Sequence, residues 1–232
     1  MVNSVGLYKS GLPGISTGVD YYFHKELSNA YPVNYEFQTK LNYGLLMKPK
    51  DDNGFIKPYH HAEISAGAIW SYSVPVSKLN IDMGGGMLFH VLVGYNSGYK
   101  FDDNYYTHLQ PYGNWLAMPS TALKLQYEFE NIKLRTKLII PVCVGGFFRE
   151  YQYYPYLEKE FLSYIITPNT LAFCNKYTAV FAEADCIIPL NFPNKRKRDL
   201  KIGLYLDYTN SSIHYIIERK RNIGLTLGLQ LN

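Results

Sequence analysis

The sequence predicts an all-β protein, an antiparallel up-and-down transmembrane β-barrel of about ten strands. Three observations predict it. Apolar and polar residues alternate with period two, the alternating segments are unusually long, and short and long connections follow one another between them. The 23 Tyr and 12 Phe residues among 232 agree with this fold, because aromatic rings favour strands and suit a boundary between water and an apolar phase.

The alternation indicates strands that present one apolar and one polar face. It runs through residues 62–74, 79–95, 123–129, 132–142, 200–208 and 223–231. These segments match or exceed the roughly 9–11 residues that a tilted strand needs to cross a bilayer. The second face is rich in charge, so the sequence favours apolar side chains outward, Leu204, Leu206, Leu225 and Leu227 among them, and polar side chains inward.

Connection lengths indicate the topology. Short links are predicted near 29–34, 75–78 and 130–131, and long ones at 49–59, 97–118, 147–170 and 209–221. The link 191–199 is intermediate. Short periplasmic turns that alternate with long extracellular loops are typical of outer-membrane barrels. Nine strands follow Gly14, and Val2–Ser10 supplies a tenth. No linker composition divides the chain, so residues 1–232 are predicted to form a single domain.

The pair Glu130–Asn131 is the clearest predicted hairpin turn. With these two residues in the turn, Phe129 faces Ile132 and Glu128 lies opposite Lys133. Apolar residues then stay opposite apolar ones, and polar residues opposite polar ones, as a fixed register requires.

The inward face predicts a network of charges that fills the lumen. Its members include Glu128, Lys133, Arg135, Asp82 and His90. A barrel of about eight to ten strands is just wide enough to be filled by its own side chains. His90 with Asp82 is a conceivable metal pair, but no closed set of ligands accompanies it. No metal site and no cofactor are therefore predicted.

Two long loops are rich in aromatic residues, and these are the predicted partner-binding positions. The loop residues are Tyr99, Tyr105, Tyr106, Trp115, Tyr153 and Tyr154. They fit a docking surface for another outer-membrane protein, a lipoprotein or a surface glycan. The alternative interpretation is that some of them form an aromatic belt at the membrane interface.

No catalytic residue is predicted. Outer-membrane lipid hydrolases place His and Ser two positions apart on one strand, and the nearest match is Ser212 and His214, in reversed order. No orienting acid is evident, although Glu218 has the same phase. A hydrolase that acts on lipids of the outer leaflet therefore stays an alternative, as does a narrow channel.

The second half of the chain resembles a known family. The run Leu138-Ile-Ile-Pro-Val-Cys-Val-Gly-Gly-Phe-Phe and the closing Gly-Leu-Thr-Leu-Gly-Leu, which begins at Gly224, are similar to an uncharacterised outer-membrane β-barrel family of Bacteroides-type bacteria. The resemblance covers about the last hundred residues and implies a fold and a location, but no activity. The final Asn232 departs from the terminal aromatic residue of many such barrels.

These observations lead to one predicted function. We expect a non-enzymatic outer-membrane barrel that acts as an accessory subunit or binding platform through its Tyr-rich loops. The formal charge of +4 is too small to indicate a nucleic-acid partner. Because the start Met1-Val2-Asn3-Ser4 lacks the basic and apolar parts of a signal peptide, this location assumes that such a peptide has been removed.

Overall fold

The structure of the chain is a computed structural model that describes residues 2–5, 14–26, 33–47, 58–96, 99–101, 104–106, 110–148, 168–191, 197–213 and 216–231. Its strands in chain order are β1 (Val2–Val5), β2 (Gly14–Glu26), β3 (Val33–Met47), β4 (Pro58–Val76), β5 (Leu79–Asn96), β6 (Tyr99–Phe101), β7 (Asn104–Tyr106), β8 (Gln110–Glu128), β9 (Lys133–Pro141), β10 (Cys143–Phe147), β11 (Thr170–Phe173), β12 (Tyr177–Asn191), β13 (Lys197–Ile213) and β14 (Ile216–Leu231). Among the described residues, no helix is long and apolar enough to cross a membrane.

One sheet contains all strands except β6 and β7. Ten strands follow each other in the order β1-β14-β13-β12-β9-β8-β5-β4-β3-β2. The other two strands lie off this path, since β10 pairs with β8 and with β11. All neighbouring strands are antiparallel, from the pairing of β2 with β3 to that of β13 with β14. The predicted all-β, antiparallel up-and-down barrel of about ten strands is therefore confirmed.

The sheet curls strongly, because side chains on one side of its inner face contact those on the opposite side. Lys40 on β3 forms an ion pair with Glu183 on β12, although four strands of the path lie between these two. We call the end with the Glu130–Asn131 turn the turn end, and the end where β3 finishes and β4 begins the loop end.

The hairpin predicted at Glu130–Asn131 is confirmed. Glu128 lies opposite Lys133. The backbone N–H of Phe129 donates to the carbonyl oxygen of Ile132 at 2.8 Å, which closes the two-residue turn.

The connection predicted at 75–78 is shorter than expected. Val76 pairs with Leu79, so the turn contains only Ser77 and Lys78. Ser77 has a φ of 59°, and a positive φ at this position matches the twist of a two-residue hairpin. The prediction treated Pro75 as a loop residue, but this proline pairs within the ladder.

Two predicted long links are also shorter. The strands β13 and β14 stay paired up to Ile213 and Ile216, so the long link expected at 209–221 is wrong. The strand β8 begins at Gln110, eight residues before Met118, where the long link was expected to end. In both places polar or mixed sequence hid a regular backbone ladder, because pairing depends on the neighbouring strand more than on local composition. At the other end of the chain, Val2–Val5 pairs with β14 as a first strand.

A β-bulge separates β9 from β10 and was not predicted. Ser120 pairs with Pro141, and Ala117 pairs with Gly145, so three steps on β8 oppose four steps on the other strand. The extra residue reverses which side chains face inward. Odd-numbered residues face inward before the bulge, whereas Val144 and the even-numbered residues do so after it.

The two faces of the sheet are the inverse of those of a water-soluble barrel. Large apolar residues are exposed on the outer face, and examples from several strands are Leu41, Ile64, Met83, Phe89, Leu123, Leu204, Leu225 and Leu227. Leu206, expected beside them, is partly exposed. Charged residues are buried on the inner face, and examples are Glu36, Glu63, Asp82, Lys124, Arg135, Lys137 and Asp185.

The Gly84-Gly85-Gly86 run of β5 lets neighbouring strands approach closely. A Cβ atom at Gly84 would lie 1.9 Å from the carbonyl oxygen of Trp70, and one at Gly86 would lie 1.9 Å from that of Ala68. Both positions face inward, on the concave side of the sheet. The three glycines therefore permit tight curvature, which is a structural role.

Candidate functional site

The interior of the barrel holds most of the buried charge, and Glu36 is its centre. The carboxylate of Glu36 on β3 accepts hydrogen bonds from Lys124 Nζ at 2.5 Å and lies 3.0 Å from Lys137 Nζ. These lysines belong to β8 and β9, which lie across the interior from β3. The two contacts therefore link opposite walls of the barrel.

A chain of hydrogen bonds extends from this centre across β5, β4 and β3. Asp82 lies 2.6 Å from Lys124 Nζ. Asp82 also accepts a hydrogen bond from the hydroxyl of Ser73, and the amide of Asn34 donates to the Ser73 hydroxyl oxygen at 2.6 Å. Asp82, Ser73 and Asn34 thus each have a hydrogen-bond partner, as low-dielectric surroundings require.

Asp185 on β12 holds the guanidinium of Arg135. Arg135 Nε and a terminal nitrogen lie 3.0 Å and 2.7 Å from the same carboxylate oxygen. Lys201 Nζ lies 3.3 Å from the other oxygen. Gly203 leaves the space for this arrangement, because a Cβ there would lie 2.2 Å from the Asp185 carboxylate.

Two further carboxylates complete the network towards the loop end. Glu63 lies 2.6 Å from His90 Nε2 and contacts Lys220 of β14. Glu183 lies 2.9 Å from Lys40 Nζ, which sits 5.3 Å from the centre of the Tyr205 ring. His90, considered above with Asp82 as a conceivable metal pair, instead bonds to Glu63 on the adjacent strand.

These groups form what we call the charged layer. It contains the carboxylates Glu36, Glu63, Asp82, Glu183 and Asp185 and the cations Lys40, Lys124, Arg135, Lys137, Lys201 and Lys220. Positive and negative side chains nearly balance, so the layer neutralises itself. Such pairs are costly to break, because one buried charge is then left with less compensation.

The pair Glu128 and Lys133 lies at the turn end, outside the charged layer. Their side chains are 3.0 Å apart and about half exposed, at 44% and 48%. Gln126 also donates to Glu128 at 3.1 Å. Exposure makes this ion pair weak, with a typical contribution of about 0.2–1 kcal/mol.

Towards the loop end the interior is apolar. The loop-end plug consists of the buried residues Leu116, Met118, Val144, Phe148, Ala172, Tyr177, Ala179 and Ile213. The hydroxyl of Tyr177 reaches the sulfur of Met118 at 3.4 Å. Sequence reasoning missed the plug because the bulge reverses the phase at Val144 and because Leu116 was assigned to a loop.

Asn169 fixes the root of the connection that follows Phe148. Its side-chain amide donates to the Phe148 carbonyl at 2.9 Å and accepts from the Phe148 N–H at 2.9 Å. The N–H of Asn169 also donates to the carbonyl of Gly146 at 2.9 Å. The amide therefore substitutes for a strand neighbour and holds Phe148 in the plug.

A cavity of about 70 Å³ lies between the charged layer and the loop-end plug. Its polar wall includes Lys40, Glu63, Lys137, Glu183 and Lys220, and its apolar wall includes Leu88, Met118, Ile139 and Phe181. A water molecule needs roughly 10–15 Å³ of such space, so the cavity can hold about five.

The predicted partner-binding residues fall in three places. Trp115 was expected in a loop, but it lies within β8 opposite Val91, because the ladder of β5 and β8 extends past it. Tyr99, Tyr105 and Tyr106 lie on the small hairpin of β6 and β7. Tyr153 and Tyr154 lie outside the described residues.

The alternative catalytic pair is only partly described. Ser212 is exposed, and its N–H donates to the carbonyl of Lys176 at 2.8 Å. Its neighbour Ser211 faces the interior and is buried. His214 lies outside the described residues. In the part of the chain that the structure describes, no three His, Cys, Asp or Glu residues are grouped to hold a metal ion.

The chain was compared with protein-family models, curated proteins and solved structures, and none of them matches. The resemblance to a Bacteroides-type outer-membrane family stays a prediction.

Proposed function

We propose that this chain is an outer-membrane β-barrel with a filled interior, which serves as an accessory subunit or binding platform and not as an enzyme. The observation that carries the membrane location is the exposed apolar face. In water such a surface would favour aggregation, because soluble proteins rarely expose large contiguous apolar patches. In a bilayer the same surface is favourable.

The outer face also has the height of a bilayer. The apolar residues of this face form a band around the barrel. On β4 the band reaches from Tyr72 to Ala62, which pairs with Tyr43. On β8 it reaches from Tyr127 to Trp115. These spans of ten and twelve residues correspond to about 33 Å and 40 Å along the strands. At a tilt of about 40° they give heights of about 25 Å and 30 Å, close to the apolar band of such barrels.

Aromatic rings lie at both borders of this band. Tyr35 and Trp70 contact each other with ring centres 5.2 Å apart towards the turn end. Tyr43 lies towards the loop end, and its hydroxyl is 2.5 Å from His60 Nδ1. Amphipathic rings at two levels are typical of the two membrane interfaces.

The two tryptophans offer a direct test. The chain has only Trp70 and Trp115, and each lies near one border of the band. Variants with a single tryptophan, Trp70→Phe and Trp115→Phe, would be folded into vesicles of phosphatidylcholine brominated at different acyl depths. We expect strongest quenching of both by bromines close to the headgroups. No quenching by any brominated lipid would contradict the membrane location.

The filled interior supports a role without conduction. Ion pairs of the charged layer, such as Lys124 with Glu36, connect opposite walls of the barrel. The loop-end plug is buried, with Val144 at 0% exposure. Open channels are typical of barrels of about 16 strands. We expect no single-channel currents from the protein in a planar bilayer. Regular currents would favour the narrow-channel alternative.

The aromatic hairpin of β6 and β7 supports the binding role. It is separate from the main sheet, and Tyr99 lies opposite Tyr106 while Lys100 lies opposite Tyr105. Aromatic residues at the centre of an interface are often worth about 2 kcal/mol or more.

Replacing Tyr105 and Tyr106 by Ser should therefore reduce the amount of any protein that co-purifies in mild detergent. The matched control, Tyr127→Ser at the turn end, should not. Equal retention by both variants would argue against docking through this hairpin.

A further inference from the structure

The outer face changes from apolar to polar along β13 as this strand nears the loop end. The outward positions in the middle of the strand are apolar, and they include the exposed Leu204 and, after it, Leu206. Tyr208 is the next outward residue, and Asn210 and Ser212 follow it. An aromatic ring between apolar and polar positions is typical of the level of the lipid headgroups. Tyr208 therefore marks the border of the apolar band on β13.

Two arginines of β14 lie at this border. Arg221 pairs with Tyr208, and Arg219 pairs with Asn210. Both arginines are exposed, and both share the outward phase of Leu225 on the same strand. The Nε of Arg219 donates to the side-chain oxygen of Asn210 at 3.3 Å. This hydrogen bond uses one of the five N–H donors of the guanidinium.

A third cation lies beside the arginines. Lys176 follows β11 in the turn that leads into β12, and its side chain is exposed. Its carbonyl oxygen accepts a hydrogen bond from the N–H of Ser212 at 2.8 Å, and Ser212 pairs with Ile217, two positions from Arg219. Strand spacing and rise put the Cα atoms of Lys176 and Arg219 about 12 Å apart. Two long side chains can reach one common group across this distance.

The described outer face of β12, β13 and β14 contains no Asp or Glu. Its outward positions have even numbers on β12 and β13 and odd numbers on β14, and none of them is acidic. The acidic residues of these strands have the inward phase, and Asp185 is an example that is buried. Within these strands the outer face therefore carries positive charge only, in contrast to the charged layer of the interior.

We propose that Lys176, Arg219 and Arg221 bind the terminal phosphate group of a lipid in the membrane leaflet on the loop-end side. Arginine suits this ligand, because its planar guanidinium can donate two parallel hydrogen bonds to a phosphate. Ile223 and Leu225 follow Arg221 on the same face, and both are exposed. The acyl chains of the same lipid can cover these two side chains, and burial of apolar surface favours that contact.

This inference rests on the proposed membrane location and can be tested by lipid binding. The protein in an uncharged maltoside detergent is titrated with dioleoylphosphatidic acid, which has a terminal phosphate. The comparison lipid is dioleoylphosphatidylcholine, which has the same chains and a zwitterionic headgroup. Bound lipid is counted by mass spectrometry of the intact protein. We expect phosphatidic acid to bind at least about tenfold more tightly, and equal binding of the two lipids would overturn the proposal.

Two double variants test whether the lipid binds at this place. A basic side chain near an anionic surface typically changes affinity about fivefold. Arg219→Gln with Arg221→Gln should therefore weaken the binding of phosphatidic acid roughly 25-fold. The matched control, Lys78→Gln with Lys133→Gln, removes two exposed cations at the turn end and should bind like the unchanged protein. An equal loss in both would overturn the proposal, because it would indicate attraction to the net charge alone.

Glycerol 3-phosphate separates a lipid from a soluble anion, since it carries the same phosphate without acyl chains. We expect no binding at the concentration at which phosphatidic acid saturates the protein, and equal binding would overturn the assignment to a lipid. Tryptophan quenching by brominated phosphatidylcholine should be the same in the arginine double variant and in the unchanged protein. Quenching without a preference for phosphatidic acid would reject the lipid site alone. No quenching in either protein would reject the membrane location and this inference with it.

Discussion

Replacing Glu36 by Gln removes one charge from the middle of the charged layer and keeps the size of the side chain. Glu36 is buried and contacts Lys124 at 2.5 Å and Lys137 at 3.0 Å. Lys124 would keep its contact with Asp82 at 2.6 Å. Lys137 would lose this ion pair and keep a longer contact with the amide oxygen of Gln38 at 3.3 Å. The layer would then hold one carboxylate fewer for the same number of cations.

The expected loss of stability follows from this count. Removing one partner of a buried ion pair typically costs about 3–5 kcal/mol. We expect the lower end, about 3 kcal/mol, because Lys124 keeps Asp82 and the glutamine oxygen can still accept a hydrogen bond. The matched variant Glu128→Gln removes a carboxylate from a half-exposed pair. Its cost should be about 0.2–1 kcal/mol.

The measurement is urea unfolding of the protein folded in detergent micelles, followed by tryptophan fluorescence. The free energy of unfolding is extrapolated linearly to zero urea, and an unchanged slope indicates an unchanged folded state. Adding Lys137→Met to Glu36→Gln should recover part of the loss, because the poorly compensated ammonium is removed. If Glu36→Gln costs no more than Glu128→Gln, the interior ion pairs do not hold the barrel together as inferred.

Three further predictions concern the stability of the folded protein. Gly86→Ala should lower the free energy of unfolding by about 1–3 kcal/mol or more, because its methyl group would lie 1.9 Å from a backbone oxygen. The matched control is Gly228→Ala, which has open space around it. This control should change the free energy of unfolding by less than about 0.5 kcal/mol. Met118→Ala in the loop-end plug should cost about 2–5 kcal/mol, and the exposed Met83 should tolerate the same change with a clearly smaller loss. Asn169→Ala should cost about 1–3 kcal/mol and speed amide hydrogen exchange in the strand end that it holds. An equal loss of stability in Gly86→Ala and Gly228→Ala, or in the two methionine variants, would contradict the packing inferred at Gly86 or Met118. Unchanged hydrogen exchange in Asn169→Ala would contradict the role of the Asn169 side chain.

The features that could be predicted from the sequence are those that depend on residues close to each other along the chain. Period-two alternation decides which face each side chain takes, so the outward position of Leu225 and the inward position of Arg135 followed from parity alone. The register of the Glu130–Asn131 hairpin followed for the same reason, because a two-residue turn leaves only one pairing in which both phases match.

Contacts between distant strands could not be predicted in the same way. Alternation places Glu36 and Lys124 on the inner face but does not say that they meet, since this depends on how far the sheet curls. The loop-end plug depends on a single extra residue between Pro141 and Gly145, which reverses the phase without a clear local signal. Trp115 was misplaced because its strand continues through a segment of mixed polarity.

The ion pairs of the interior also constrain the order in which the chain can fold. Glu36 and Lys124 are 88 positions apart, and Glu63 and Lys220 are 157 positions apart. Contacts of such long range form late, because the entropy of closing the intervening chain must be overcome before they contribute. Until the last strand docks, Glu63 lacks the ammonium of Lys220. A partly assembled barrel therefore carries charges that are not yet matched, which favours folding in a place where water still reaches the inner face.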